Sequence, residues 1–276
     1  MKRFRGYPVL LLVGMWLAGF PLLSQTIFHD YGRESAISVE IIRPEWSGED
    51  NANLITSAIF FTAHAPLGET LFFVGELPVA HAGFSSDFGE GISSTNVGNP
   101  YVGLEYRPTD NLTFWEMGIR LPLASEESEA TFVGFFSDPT EREEAFTPDF
   151  LTISGMANVV SKDTLGAMFR VRLGPSLAIN TDKGEFEDAT ELFLIYSAMA
   201  GYRGEAVRAG IAFIGRWWTT GEGEDFGENS LHQLGLFANV GSGSVRPGLS
   251  VRIPLDKDFR DTLDFMLGLN VDFHLR

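Results

Sequence analysis

The sequence predicts an all-β protein, an antiparallel up-and-down transmembrane β-barrel of about twelve strands. Three observations carry this: apolar residues on every second position, tight turns alternating with long connections, and aromatic rings near strand ends. The alternation is plainest at the C-terminus. Leu263, Phe265, Leu267, Leu269, Val271, Phe273 and Leu275 interleave there with Asp264, Met266, Gly268, Asn270, Asp272 and His274. A period of two makes a strand with one apolar and one polar face.

In chain order, "MKRFRGYPVLLLVGMWLAGFPLLSQ" comes first, with Lys2, Arg3 and Arg5 ahead of an apolar run. This is the layout of a secretory signal peptide, assigned to 1–25, with 26–276 as one outer-membrane barrel domain. The other reading of the run is an uncleaved helix, for which it is at the short end. Strand-like stretches follow at 35–42, 54–65, 70–78, 97–107, 112–123, 149–160, 164–180, 189–202, 205–218, 230–241, 244–255 and 262–275. Turns rich in Pro, Gly, Asp, Asn and Ser join them at 66–69, 108–111, 161–163, 203–204 and 242–243. The intervening connections at 43–53, 79–96, 124–148, 181–188, 219–229 and 256–261 are longer. Short turns on one side and long loops on the other are the layout of outer-membrane barrels. Trp217 and Trp218 sit near the long-loop end, and Tyr106, Trp115, Tyr202 and Phe273 near the short-turn end, as two aromatic girdles would.

With the apolar faces toward lipid, the polar faces line a lumen. Arg170 and Arg172, Arg208 and Arg216, and Arg246 and Arg252 come from three alternate strands. The remaining inward set is acidic or mixed: Glu76, Glu105, Glu116, Arg120, Asp264 and Asp272. Two readings stay open. Opposite charges in a narrow barrel pair because a buried charge needs a partner, or they form a selective constriction. The connection 124–148 is the one expected to fold inward or close the mouth, since Phe132, Val133, Phe135 and Phe136 form an apolar patch in an acidic stretch. Packing on the rim is the other outcome.

Composition removes several function classes. Cysteine is absent, which excludes disulfides, thiolate metal sites and a cysteine nucleophile. A net charge of −17 repels nucleic acid. None of His29, His64, His81, His232 and His274 is followed two residues later by serine, so the one-strand His–Ser pair of an outer-membrane lipase is missing. Asp225 and Asp258 are available at the long-loop end, but no histidine is expected to accompany them. No enzyme, cofactor or metal site is expected. The acidic stretches "TDKGEFED" and "TTGEGEDFGEN" lack the calcium-loop signature. Near anionic lipopolysaccharide, such loops would share bridging cations with the outer leaflet.

The segment "TNVGNPYVGLEYRPTDNLTFWEMGIRLPLA" combines Gly98-Asn99-Pro100, Tyr106-Arg107 and Arg120-Leu121-Pro122, with "LFFVGELPVA" upstream. It resembles the phenol-degradation MetA-like outer-membrane proteins, with Asn99 where that family commonly carries an acid. The resemblance implies a channel or transporter for small, hydrophobic or aromatic solutes, with a charged lumen. The competing expectation is a closed structural or surface-interaction barrel. The partners expected are outer-membrane lipid and lipopolysaccharide, a small-molecule solute and the barrel assembly machinery, which reads an aromatic residue near the chain end. Here that residue is Phe273, ahead of His274, Leu275 and Arg276.

Overall fold

A computed structural model describes residues 26–29, 31–48, 53, 55–84, 91–109, 112–161, 165–182, 190–221, 223, 225–275. Alternating apolar and polar residues form long strands here because each strand has a different medium on each side. The strands are β1 (Ser35–Trp46), β2 (Ser57–Pro66), β3 (Leu71–Phe84), β4 (Ile92–Val97), β5 (Tyr101–Tyr106), β6 (Thr113–Arg120) and β7 (Phe150–Val160). They continue as β8 (Gly166–Asn180), β9 (Thr190–Arg203), β10 (Val207–Trp218), β11 (Ser230–Val240), β12 (Val245–Pro254) and β13 (Leu263–Leu275). Each pairs antiparallel with its neighbour, and β13 returns to β1 from Ser35↔Leu275 through Trp46↔Leu263. Both β4 and β5 pair with β3, so they are two halves of one wall strand. The result is a closed barrel of twelve staves.

Several boundaries differ from the sequence expectation. β1 runs on to Trp46 and β3 to Phe84, while β6 stops at Arg120. The small residues of "AHAGF" alternate too weakly in hydropathy to announce a strand. The wall strand starting at Ile92 then breaks at Gly98-Asn99-Pro100, where Pro100 has no N–H to give to a ladder.

Outward-facing residues are apolar: Ile37, Phe61, Val102, Val171, Ile211, Leu249 and Leu269 are all exposed on the barrel surface. Alternate positions point inward and are buried, as on β8, where Met168, Arg170 and Arg172 are covered while Phe169, Val171 and Leu173 are not. The inside is filled by chain. Helix α1 (Glu129–Ser137) and a 3-10 turn (Glu143–Ala145), from the connection between β6 and β7, pack within the barrel. Ala130, Val133, Ala145 and Phe146 join Ile42, Ala58, Phe60, Ala80, Leu263 and Met266 in one apolar cluster under the long-loop end. The inward outcome for 124–148 is therefore the one adopted. Phe132 remains half exposed and stacks on Trp46 at 5.4 Å. A short helix, α2 (Lys257–Arg260), precedes β13.

Candidate functional site

The interior carries the chemistry, and the strand period decides which side chains reach it. Arg170 and Arg172, two apart on β8, share the inward face of that strand. Glu116 on β6 accepts from Arg170 Nη2 at 3.1 Å and Arg172 Nε at 3.2 Å. Arg172 Nη1 reaches Glu141 at 2.7 Å. On β10, Arg216 donates to Glu144 at 2.9 Å and stands 3.0 Å from Glu143 as an ion pair, with its guanidinium 3.9 Å over the Phe193 ring. On β12, Arg252 spans Glu40 and Asp138, both at 2.8 Å. Arg120 binds Glu76 at 2.8 Å, and Arg107 binds Glu105 at 2.7 Å. Apart from Glu76 and Glu143, which are partly covered, these groups are buried, so each charge depends on its partners.

The partners come largely from the inserted segment. Arg142 donates to Asp138 at 2.7 Å, Glu40 at 2.5 Å and Glu76 at 3.3 Å, and lies 3.6 Å over the Phe60 ring. Wall arginines and inserted acids thus form one ionic layer across the barrel. Burial pushes the Glu143 carboxyl up to about 7, opposed by Arg216 and reinforced by Glu144. The break in the β4–β5 wall is where the segment docks. The Ala145 carbonyl accepts from Asn99 N at 2.7 Å, and a Cβ at Gly98 would stand 2.2 Å from that oxygen. Only glycine allows this approach. The Asn99 amide donates to the carbonyls of Glu144 (2.9 Å) and Thr147 (2.6 Å), and its oxygen accepts from Leu123 N and Ala124 N. A carboxylate at 99 has no hydrogen to donate, which is the physical reason for asparagine here.

Residues before β1 also lie inside. Arg170 Nη1 donates to the carbonyls of Thr26 (3.1 Å), Ile27 (3.3 Å) and His29 (2.6 Å). Ile27 and Phe28 pack among Met168, Met199, Ala212, Ile214 and Phe237. His29 stands 3.6 Å from Glu40 and 3.5 Å from Asp272. Burial pulls its imidazole down, but these two carboxylates outweigh that and raise it to about 9. Arg33 closes on the carbonyls of Glu69, Arg107 and Pro108.

Among the residues the sequence picked out, Arg170, Arg172, Arg216, Arg252, Glu76, Glu116 and Arg120 meet in or beside the ionic layer. Glu105 is buried next to it, 3.7 Å from His64. Asp272 accepts from Ser38 Oγ at 2.7 Å. Arg208 and Arg246 lie nearer the short-turn end, on the wall of a cavity of about 500 Å³. Asp264 does not join them. The ladder slips between Glu45 and Trp46, whose partners are Phe265 and Leu263, so Asp264 is the extra residue of a bulge. It is exposed and accepts from Ser47 Oγ at 2.8 Å.

The sequence reading did not place Glu40, Asn99, Asp138, Glu141, Arg142, Glu144 or His29 inside the barrel. Glu40 was within its reach, because Ile37, Val39 and Ile41 set the outward phase of β1. The others come from irregular segments that have no period to follow. A histidine does stand near acids at the long-loop end. His232 Nε2 is 2.7 Å from the Tyr196 hydroxyl, and its Nδ1 is 3.1 Å from Asp256. It sits on the outward side of β11, against Phe213 and Phe226. The acidic stretch 183–189 lies outside the described residues, as does 1–25.

The sequence matches no protein-family profile and no curated protein. The fold is similar to that of an outer membrane channel from Pseudomonas putida F1. Its TM-score is 0.60 and its identity 11%, over 92% of this chain and 100% of that one. It is also similar to the NanC porin (TM-score 0.54, 8% identity, 87% of this chain and 100% of that one). LpxR from Salmonella typhimurium follows at TM-score 0.50 and 12% identity, over 87% and 100%. At such identities the likeness is one of fold. This chain is a twelve-stranded up-and-down β-barrel.

Proposed function

We propose that this protein is an outer-membrane channel that admits small solutes, with hydrophobic or aromatic ones the class implied by the family resemblance. The observation that carries the reading is a closed barrel with an apolar outer face and a polar, ionised interior that opens into a cavity of about 500 Å³ at the short-turn end. An unbroken apolar exterior of this extent is unstable in water and stable in lipid. The similarity in fold to an outer membrane channel and to a porin supports the same role. In this reading the short turns face the periplasm, the long acidic loops meet lipopolysaccharide, and the assembly machinery inserts the exported chain.

A second reading has its own support. The ionic layer and the two inserted segments fill the middle of the barrel, as they would in a closed structural barrel. Single-channel conductance in a planar bilayer separates the two. The channel reading expects a steady conductance that rises in an Arg170→Gln variant, whose Thr26, Ile27 and His29 carbonyls lose their donor. Silence from well-folded wild type and variant alike would leave the closed barrel as the function.

A further inference from the structure

The two larger apolar clusters of the interior are built on different plans. The one under the long-loop end joins wall residues to α1. The other sits on β8–β11, where Met168, Met199, Ala212, Ile214 and Phe237 face Ile27 and Phe28. The wall half of this second cluster is shaped to receive a ring. Gly235 is its floor: a Cβ there would overlap Cζ of Phe28, so the ring lies directly on the β11 backbone. Phe237, two residues along the same face, meets the ring edge-on with centroids 5.7 Å apart. Arg252 is the ladder partner of Gly235 on β12. Its guanidinium is 4.8 Å from the Phe28 centroid and is held from elsewhere by Glu40 and Asp138. Met168 and Met199 complete the socket with flexible, polarizable side chains that adapt to rings of different outline.

The ring in the socket does not belong to the barrel wall. Phe28 is carried by the stretch ahead of β1, whose neighbouring carbonyls rest on Arg170. The socket also adjoins the cavity of about 500 Å³ at the short-turn end, because Arg208, which lines that cavity, stands 5.4 Å from the Phe237 ring. The cavity volume falls within the range of small-molecule sites, about 300–1,000 Å³. A ring leaving the socket therefore has space to enter, and a ring arriving from the cavity has one layer of side chains to cross.

We infer that the socket over Gly235 is a binding site for the aromatic ring of a small solute, and that Phe28 is its built-in occupant, exchanged for that ring by swinging into the adjoining cavity. The edge-on Phe237 and the guanidinium of Arg252 reward an aromatic ring over an aliphatic one of the same size. A tethered occupant competes at high effective concentration, so it lowers the apparent affinity for the solute and closes the site again once the solute leaves. As a station on a solute path the site rests on the channel reading; as an exchange of one ring for another it stands without it.

The test uses the full chain in detergent, with benzyl alcohol as the probe and cyclohexanemethanol, similar in shape but without a π system, as its control. Hydrogen exchange of the amides of residues 26–29 is the readout. Benzyl alcohol speeds that exchange saturably in the wild type, and cyclohexanemethanol does so at least about threefold more weakly. Phe28→Ala, which removes the internal competitor, binds benzyl alcohol at least about tenfold more tightly than the wild type. Phe28→Leu gives a smaller gain in the same direction and serves if the alanine variant does not fold. Gly235→Ala, whose methyl takes the place of the ring, loses the probe and exchanges the stretch quickly without it. Exchange in the wild type that ignores benzyl alcohol would overturn the assignment, since Phe28 would then be a fixed core residue. Equal action of cyclohexanemethanol, unchanged affinity in folded Phe28 variants, or retained binding in folded Gly235→Ala would overturn it too. The wild-type readouts need no variant to fold. Conductance of the same preparation keeps the two ideas apart. Binding without conductance sinks the channel and leaves the site, and conductance without binding does the reverse.

Discussion

Two stretches of chain fill this barrel, and they are held by different forces. The segment around Asp138–Phe146 is held by charge, with Arg142, Arg172, Arg216 and Arg252 sharing its acids and those of the wall. The stretch Thr26–Glu34 is held by main-chain carbonyls on Arg170, by the apolar contacts of Ile27 and Phe28, and by one titratable ring, His29. The first attachment is costly to break at any single point, because a buried charge is then left alone. The second comes apart in smaller steps and responds to pH. The fixed element and the adjustable one are thus stacked in the same lumen.

The sharpest way to break this contrast is Arg142→Met. It leaves Glu40, Glu76 and Asp138 short of a partner and should cost about 3–5 kcal/mol, read as a large fall in the melting temperature of the folded barrel in detergent. Ile27→Ala should cost about 2 kcal/mol or somewhat more, at the low end for a buried large-to-small change, and its effect should fall on protection of the N-terminal stretch from protease. Asn99→Asp removes two donors and adds a charge beside Glu144. A loss of about 2 kcal/mol in the same melting assay is expected.

The pH response sharpens the comparison further. The folded imidazole of His29 is raised to about 9 from 6.5. Its stabilising share is fully present below pH 6.5 and is lost as pH rises through 9. Melting temperature should therefore fall across that window in wild type, and the fall should shrink in His29→Gln. An unchanged pH profile in the variant would remove His29 from the account. Smallest of all, Asp264→Ala should move stability by no more than about 0.5 kcal/mol, as befits an exposed bulge residue.

The staves were legible because a two-residue period survives wherever an apolar exterior and a polar interior face opposite sides. Arg170, Arg172, Arg216 and Arg252 were placed on the inward face by that period alone. Their partners were not legible in the same way. Asp138, Glu141 and Glu144 belong to an aperiodic connection, and nothing local records that Arg142 meets a glutamate 102 residues earlier. Asp264 marks where the period itself misleads, because one bulge shifts the phase by a residue. The break at Gly98-Asn99-Pro100 was visible as a motif, but its purpose as a docking point for Ala145 required the third dimension.

One pair of that network has a consequence for how the molecule is made. Glu40 lies on β1 and Arg252 on β12, 212 residues apart, and both meet Asp138 or Arg142 across the seam where β13 joins β1. Contacts so distant in sequence form late, because the chain between them must be ordered first. Shutting the seam brings Glu40 and Arg252 together, and Asp138 and Arg142 of the inserted segment complete the coordination of both, so the closure of the cylinder and the seating of the segment are coupled through one set of charges.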